Sequence, residues 1–103
     1  MIFETLHESN QRGELFGSIC HWHLRRDGQI TIREIIVEQI EQRTGIGSTF
    51  LNRLKQVKGA TSIFAKTPVD LGSNSWYAAN GFVLEGQETT KTGRLLNLWR
   101  LKL

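Results

Sequence analysis

The feature that most constrains this chain is a change of hydrophobic period at its centre, from two residues to about 3.6 and back. The segment Ile30–Val37 alternates and is rich in β-branched residues, which is typical of a strand. After Gly45 the apolar residues recur at helical spacing, and these are Ile46, Phe50, Leu54 and Val57. Ala60–Ala65 is again a short apolar run. A strand–helix–strand order predicts a crossover unit whose two strands are parallel.

Hairpins are expected on both sides of this unit. Leu15–Leu24 alternates like a strand, and the Asp27-Gly28 pair between it and the next strand favours a tight antiparallel turn. Toward the C-terminus, Gly81–Gln87 and Leu95–Leu103 have strand composition and are separated by Thr92-Gly93. A second hairpin is therefore predicted there.

A second, shorter helix is predicted over Asp70–Asn80, capped by Asp70 or Ser73 and closed by Gly81. The predicted order is strand, strand, helix, strand, helix, strand, strand. This order defines an α/β fold with a mixed sheet and one central parallel pair. The 103 residues suit a single compact domain, 1–103, with residues 1–12 as a loose N-terminal segment.

Composition narrows the classes of function. The chain is 39% hydrophobic and 22% charged, as in ordinary globular domains. It contains no apolar run near the ~20 residues that span a bilayer, so no membrane partner is expected. A lone Cys20 cannot form an internal disulfide and fits a reducing, cytoplasmic location. The net charge of +3 suits a polyanionic partner, but the basic residues are scattered along the sequence and mark no nucleic-acid-binding stripe.

The most informative segment for function is Gln42–Ser48, which follows a predicted strand and opens a predicted helix. Free N–H groups and the positive dipole end make a helix start an anion site, and Gly45 and Gly47 allow close backbone approach. Side chains that can add contacts to the anion are Arg43, Thr44 and Ser48. The segment lacks the Gly-Lys-Ser/Thr of a triphosphatase loop and the third glycine of a dinucleotide fingerprint. The two glycines also fit close packing of the helix, and this segment alone leaves both interpretations open.

Two motifs in order resemble the GNAT superfamily of N-acyltransferases. Gln42-x-x-Gly45-x-Gly47 resembles its acyl-CoA-binding motif, Arg/Gln-x-x-Gly-x-Gly/Ala, and Val37 stands where the family has a strand-ending valine. Asn74–Phe82 resembles the family's aromatic-Tyr-x-x-x-Gly-Phe segment. The resemblance covers Leu15 to the C-terminus and implies a GNAT-like fold, acetyl-CoA as donor and a primary amine as acceptor. The residues that it implies for coenzyme binding are Val37, Gln42, Arg43, Thr44, Gly45, Ile46, Gly47, Ser48 and Asn74.

The chain departs from the family in two respects. The family usually has two helices before the first hairpin, and too few residues precede Leu15 to form them here. Part of the acceptor wall is then absent, which suits a large acceptor that supplies its own surface. The family's asparagine seven residues before the tyrosine is Asp70, and Asn74 is the candidate replacement. A protein amine, a small amine and a nucleobase amine all stay open as acceptors.

The resemblance also implies catalytic roles. Backbone N–H groups around Val37 and Glu38 would polarise the thioester carbonyl, and Tyr77 would protonate the leaving thiolate. The alternative for Tyr77 is plain packing beside Trp76 and Phe82. The base that takes the amine proton is left open among water and four side chains, namely Glu34, Glu38, His21 and His23.

Other readings of the sequence are weaker. Cys20, His21 and His23 are too close together for a closed zinc site, so no metal is expected, and Cys20 alternates onto the apolar face of its strand. The main alternative to an enzyme is a non-catalytic interaction module of the same fold. In either case Leu95–Leu103 is a candidate element for homodimer formation.

Overall fold

In a computed structural model of the protein, the residues described are 2–7, 10–15, 18–36 and 46–103. These residues contain seven strands and two helices. In chain order the elements are β1 Ile2–His7, β2 Asn10–Leu15, β3 Ser18–Leu24, β4 Gln29–Ile36, α1 Ile46–Lys55, β5 Ser62–Pro68, α2 Ser73–Ala79, β6 Val83–Thr89 and β7 Leu95–Lys102. None of the described helices is long and apolar enough to span a membrane.

All seven described strands belong to one sheet, in the order β1-β2-β3-β4-β5-β7-β6. β4 and β5 are parallel, and the other neighbouring pairs are antiparallel. The predicted α/β class with a central parallel pair is confirmed. The seven predicted elements correspond to those from β3 to β7 in the structure.

The structure differs from the sequence prediction at the N-terminus. Residues 1–12 were expected to be loose, but β1 and β2 form an antiparallel hairpin in which Phe3 pairs with Gly13. β2 then pairs with β3, and the first predicted strand begins at Ser18 instead of Leu15. The physical reason is that β2 pairs the backbone groups on the outer side of β3, and β1 does the same for β2, which leaves β1 as the edge strand. This pairing uses backbone atoms, so side-chain alternation gives little sign of it.

The first predicted hairpin is confirmed in detail. Gly28 N donates to Arg25 O at 3.1 Å, and Arg25 N donates to Gln29 O at 2.8 Å. Gly28 has a φ of +91°, and a Cβ there would lie 2.7 Å from the carbonyl oxygen of Gly59. Glycine is therefore required by both conformation and space.

The second helix ends as predicted but begins differently. Its N-cap residue is Gly72, and no side chain caps it, so neither Asp70 nor Ser73 has the predicted role. A side chain from within the helix stabilises the preceding backbone instead, because Asn74 Nδ2 donates to Leu71 O at 2.8 Å. At the other end, Phe82 N donates to Tyr77 O at 3.1 Å and Gly81 has a φ of +88°, as expected for a closing glycine.

The two faces of the sheet differ. On the covered face, Trp22, Ile32, Ala65 and Trp99 lie opposite one another in adjacent strands, and all four are buried. Both helices add to this core, and its largest fully buried side chains are Tyr77, Phe50, Ile30, Leu54, Ile63 and Cys20. The open face consists of the alternate residues, among them His23, Thr31, Phe64 and Arg100, and neither described helix packs on it.

Candidate active site

The central feature of the site is the separation of the two parallel strands. Pairing between β4 and β5 runs only from Gln29 with Ser62 to Ile32 with Ala65. Each strand continues beyond that point, β4 to Ile36 and β5 to Pro68, but among the described strands the rest of β5 pairs with β7 alone. The described pairing of the parallel strands therefore stops before their carboxyl ends, and we call the place where it stops the cleft. Open α/β sheets bind their ligands at the carboxyl ends of their strands.

A β-bulge lies at the same level of β4. His21 pairs with Glu34 whereas Trp22 pairs with Ile32, so Arg33 is an extra residue in β4. A bulge bends a strand and strengthens its twist, and this one lies directly after the last β4–β5 pair. It also sets Glu34 opposite His21 at the edge of the cleft.

The bulge brings together two of the predicted acid–base candidates. The distance from His21 Nδ1 to Glu34 Oε2 is 3.3 Å, and the two side chains are 34% and 51% exposed. A carboxylate in this position orients an imidazole ring by accepting a hydrogen bond from it. His23 lies on the same face, opposite Thr31. The structure thus groups His21 and Glu34, with His23 two pairs further along the strand.

Helix α1 begins at the cleft end of the sheet. Its first turn contains Gly47 and Ser48, contains no acidic residue, and exposes Ser48. The positive end of the helix dipole is therefore not neutralised within the helix, which favours an anion there. Other predicted coenzyme and carbonyl contacts lie outside the described residues; these are Val37, Glu38, Gln42, Arg43, Thr44 and Gly45. Ile46 is the first residue of α1.

Gly47 has a packing role of its own. A Cβ at this position would lie 3.0 Å from the indole Nε1 of Trp76. The missing side chain therefore lets the first turn of α1 approach α2 closely, which supports the packing interpretation for this glycine. The contact places α2, and with it Tyr77, next to the start of α1.

Tyr77 is 2% exposed and surrounded by aromatic rings. It makes edge-to-face contacts with Trp76 and Phe82, each with ring centroids 5.0 Å apart, and stacks on Trp99 at 6.2 Å. Burial, with a smaller contribution from the nearby Cys20, raises the pKa of the Tyr77 phenol above its usual range. The packing expectation is confirmed, and the hydroxyl is a protonated hydrogen-bond donor at ordinary pH.

Asn74 faces the interior. Its side-chain oxygen accepts from Thr67 Oγ1 at 2.5 Å, from Trp99 Nε1 at 2.9 Å and from Asn97 Nδ2 at 3.0 Å. Its amide nitrogen donates to Pro68 O and Leu71 O, both at 2.8 Å. Both ends of the amide are therefore used within the fold, which gives Asn74 a structural role where the sequence suggested a coenzyme contact. Sequence reasoning missed Thr67 and Asn97, since isolated polar residues in strands carry no pattern.

The last two possibilities raised by the sequence are Cys20 as a nucleophile and a metal site. Cys20 is 1% exposed, and burial raises the pKa of its thiol to about 12, so it is a neutral core residue rather than a nucleophile. Within the described ranges, no group of three or more His, Cys, Asp or Glu side chains could hold a metal ion.

Comparison with known proteins gives similarity in structure but not in sequence. No protein-family model matches the chain, and no curated protein matches it significantly in sequence. A GNAT-family acetyltransferase candidate from Desulfovibrio desulfuricans has a TM-score of 0.71 at 19% identity, over 82% of this chain and 60% of that one. A candidate streptothricin acetyltransferase from Bacillus anthracis, solved with acetyl coenzyme A, has a TM-score of 0.76 at 17% identity, over 91% and 62%.

An acetyltransferase from Bacillus subtilis, solved with coenzyme A, has a TM-score of 0.72 at 18% identity, over 92% of this chain and 78% of that one. These similarities show that the chain has the fold of the GNAT acetyltransferases. The chain spans less than two thirds of the length of the Desulfovibrio and B. anthracis proteins.

Proposed function

We propose that the chain is an N-acetyltransferase that moves an acetyl group from acetyl-CoA to a primary amine by direct attack. The observation that carries this proposal is the separation of β4 from β5 after Ile32, with helix α1 as the next described element of the chain, in a GNAT-like fold. Solved examples of that fold include complexes with acetyl coenzyme A and coenzyme A.

Coenzyme binding is proposed at the start of α1. The backbone of residues 42–48 would donate hydrogen bonds to the pyrophosphate, with Arg43, Thr44 and Ser48 beside it. This placement is supported by the first turn of α1, which contains no acidic residue and exposes Ser48. The remainder of the donor would extend into the cleft, where Val37 and Glu38 follow the end of β4.

The proposed chemistry needs few side chains. The amine nitrogen bonds to the thioester carbonyl carbon, the carbon–sulfur bond breaks, and the proton that the amine loses balances the one that the leaving thiolate gains to become a thiol. Backbone N–H groups near Val37 and Glu38 would stabilise the developing oxyanion. Tyr77 would donate a hydrogen bond, and finally a proton, to the sulfur. His21, oriented by Glu34, would take the amine proton from the open face, with Glu38 and His23 as the alternatives.

The test is calorimetric titration with acetyl-CoA and coenzyme A. Ser48→Glu adds a carboxylate to the first turn of α1, which suits the helix dipole but repels a pyrophosphate. Gly47→Glu is less informative, because any side chain at Gly47 meets Trp76. Asn52→Glu is the matched control, since it adds the same charge one turn further along at another exposed position of α1. We expect saturable binding that is lost in Ser48→Glu and retained in Asn52→Glu.

If the wild type does not bind either ligand, the coenzyme site is disproved. Equal binding by both variants would place the ligand elsewhere.

A second candidate function, a non-catalytic interaction module, is favoured by one observation. β6 is an edge strand of the described sheet, and its Val83 and Leu84 are 66% and 47% exposed. Such an edge is suited to pairing with a second copy. The element named from the sequence, Leu95–Leu103, is not available for edge pairing, because β7 lies between β5 and β6 and pairs with both. Light scattering coupled to size exclusion tests it, and a monomer at micromolar concentration would count against pairing.

A further inference from the structure

Three segments far apart in sequence meet at the end of the sheet opposite the cleft. Thr61 N donates to Gly28 O at 2.8 Å, which joins the β3–β4 turn to the loop after α1. Leu103 N donates to Thr61 O at 3.0 Å, which joins the C-terminus to the same loop. Thr61 Oγ1 also contacts the carbonyl oxygen of Asp27 at 3.3 Å.

These segments, with the last turn of α1 that leads into them, concentrate positive charge. We call this surface the basic end, and it consists of Arg25, Arg26, Arg53, Lys55, Lys58 and Lys102, all of which are exposed. The one acidic side chain within these segments is Asp27, which contacts Arg25 at 2.7 Å, and the charges compared next are those of side chains. The basic end thus has a surplus of five positive charges, whereas the whole chain has a surplus of three, so all other residues together are net negative.

The proposed coenzyme site does not account for this charge. α1 begins at the cleft and ends at Lys55, and its 10 residues span roughly 15 Å. β4 likewise runs from Gln29 at the basic end to Ile36 at the cleft. A pyrophosphate at the start of α1 would therefore lie on the other side of the domain from Lys58 and Lys102.

We propose that the basic end binds the phosphate backbone of nucleic acid without regard to base sequence. Lysine and arginine contacts with phosphates are sufficient for such binding, because the released counterions supply the free energy. An interface with an acidic protein would need an apolar or aromatic centre. The described residues of the three segments contain no aromatic side chain, and their exposed large apolar residue is Leu103 alone. The surface therefore fits nucleic acid better than a folded protein partner.

The experiment measures fluorescence anisotropy of a short labelled DNA duplex with the full chain, without coenzyme, between about 50 and 200 mM salt. With four cations in contact, from Arg26, Lys55, Lys58 and Lys102, the slope of log K against log salt is about −3 to −4. Arg26→Gln combined with Lys58→Gln removes two contacts. We expect this pair to weaken binding roughly tenfold or more at the lowest salt and to make the slope shallower by about two.

The matched control is Lys91→Gln combined with Arg94→Gln. It removes the same charge from exposed positions in the β6–β7 turn, at the other end of β7, and is expected to leave the slope unchanged. Equal weakening by the two pairs would overturn the proposal, as would absence of binding by the wild type at the lowest salt. Displacement of the duplex by polyglutamate at equal charge concentration would point to an acidic protein partner and would also overturn it. None of these outcomes depends on coenzyme binding.

Discussion

The covered and open faces are built from the same strands but have opposite properties. On the covered face, Ile30 and Ile63 are fully buried beneath the helices. On the open face, alternate residues of the same strands form a polar layer. There, Arg100 bonds to Gln29 at 3.0 Å and to Glu85 at 2.9 Å, and its guanidinium lies 4.9 Å from the centre of the Phe64 ring.

The difference shows how one sheet can keep the residues that stabilise the fold on one face and the candidate catalytic residues on the other. Burial of apolar area supplies most of the free energy of folding, and that area lies on the covered face. The open face does not need to bury apolar side chains, so polar residues such as His21 and Glu34 can lie on it at the edge of the cleft. The following changes test this division, beginning with the largest expected effect.

Phe50→Ala should be the most damaging change. Phe50 is 0% exposed in α1, and loss of its ring leaves a cavity that costs about 3–5 kcal/mol of unfolding free energy. Phe64→Ala on the open face should cost roughly a third of that, because Phe64 is already partly exposed. Urea denaturation measures both. Equal losses would mean that another layer covers the open face.

Asn74→Ala should cost about 2–3 kcal/mol, since it leaves partners on β5 and β7 unsatisfied in the interior. Asn80→Ala, at the other end of α2, is the control, because the Asn80 side chain donates a hydrogen bond to Trp76 O at 2.8 Å. Its cost should be about 1 kcal/mol or less. A mild effect of Asn74→Ala on urea unfolding would show that the network adds little to the covered face.

Alkaline pH should destabilise the covered face. Burial raises the pKa of Cys20 from 9.0 to about 12, so the unfolded chain loses this proton first as pH rises. The stability from this group is complete below pH 9 and falls above it by up to about 1.4 kcal/mol per pH unit. Tyr77, whose pKa is also raised, adds to the loss at higher pH. Unfolding free energies of Cys20→Ala should vary less between pH 9 and 10; an unchanged slope would contradict this.

Tyr77→Phe tests the one proposed exception to this division between the faces. Tyr77 is a buried residue of the covered face, yet it is proposed to take part in the reaction. Phenylalanine keeps the contacts with Trp76, Phe82 and Trp99 but removes the hydroxyl. Turnover should fall about tenfold or more while the calorimetric affinity for coenzyme A stays the same. Unchanged turnover would make Tyr77 a core residue only.

Glu34→Gln should have the smallest effect. A half-exposed ion pair contributes up to about 1 kcal/mol, so loss of the His21 contact should lower turnover by no more than about fivefold. Glu88→Gln is the control, because Glu88 pairs with Lys66 at 2.8 Å on the open face and is exposed to a similar extent. It should change stability equally and turnover not at all. If both variants changed turnover alike, Glu34 would have no positioning role.

Much of the fold could be predicted from the sequence, because the signals that determine it act over short stretches of chain. The period change after Gly45, the Asp27-Gly28 turn and the closing Gly81 each act within a few residues, so the hairpins, the crossover and the parallel pair follow from them. The candidate site was predictable only as a set of residues. Its coenzyme segment rested on a motif, and the base was left open among four side chains.

The sequence by itself determined the order of elements from β3 to β7, the apolar face of α1 and the core position of Cys20. The tertiary structure alone decided that a bulge at Arg33 sets Glu34 beside His21, that Asn74 turns inward, and that separated cations form one basic end. Strand register and contacts between distant segments govern these features, as Thr61 shows by bonding to Gly28 and Leu103. A register shift of one residue turns a side chain to the opposite face, and no local pattern records it.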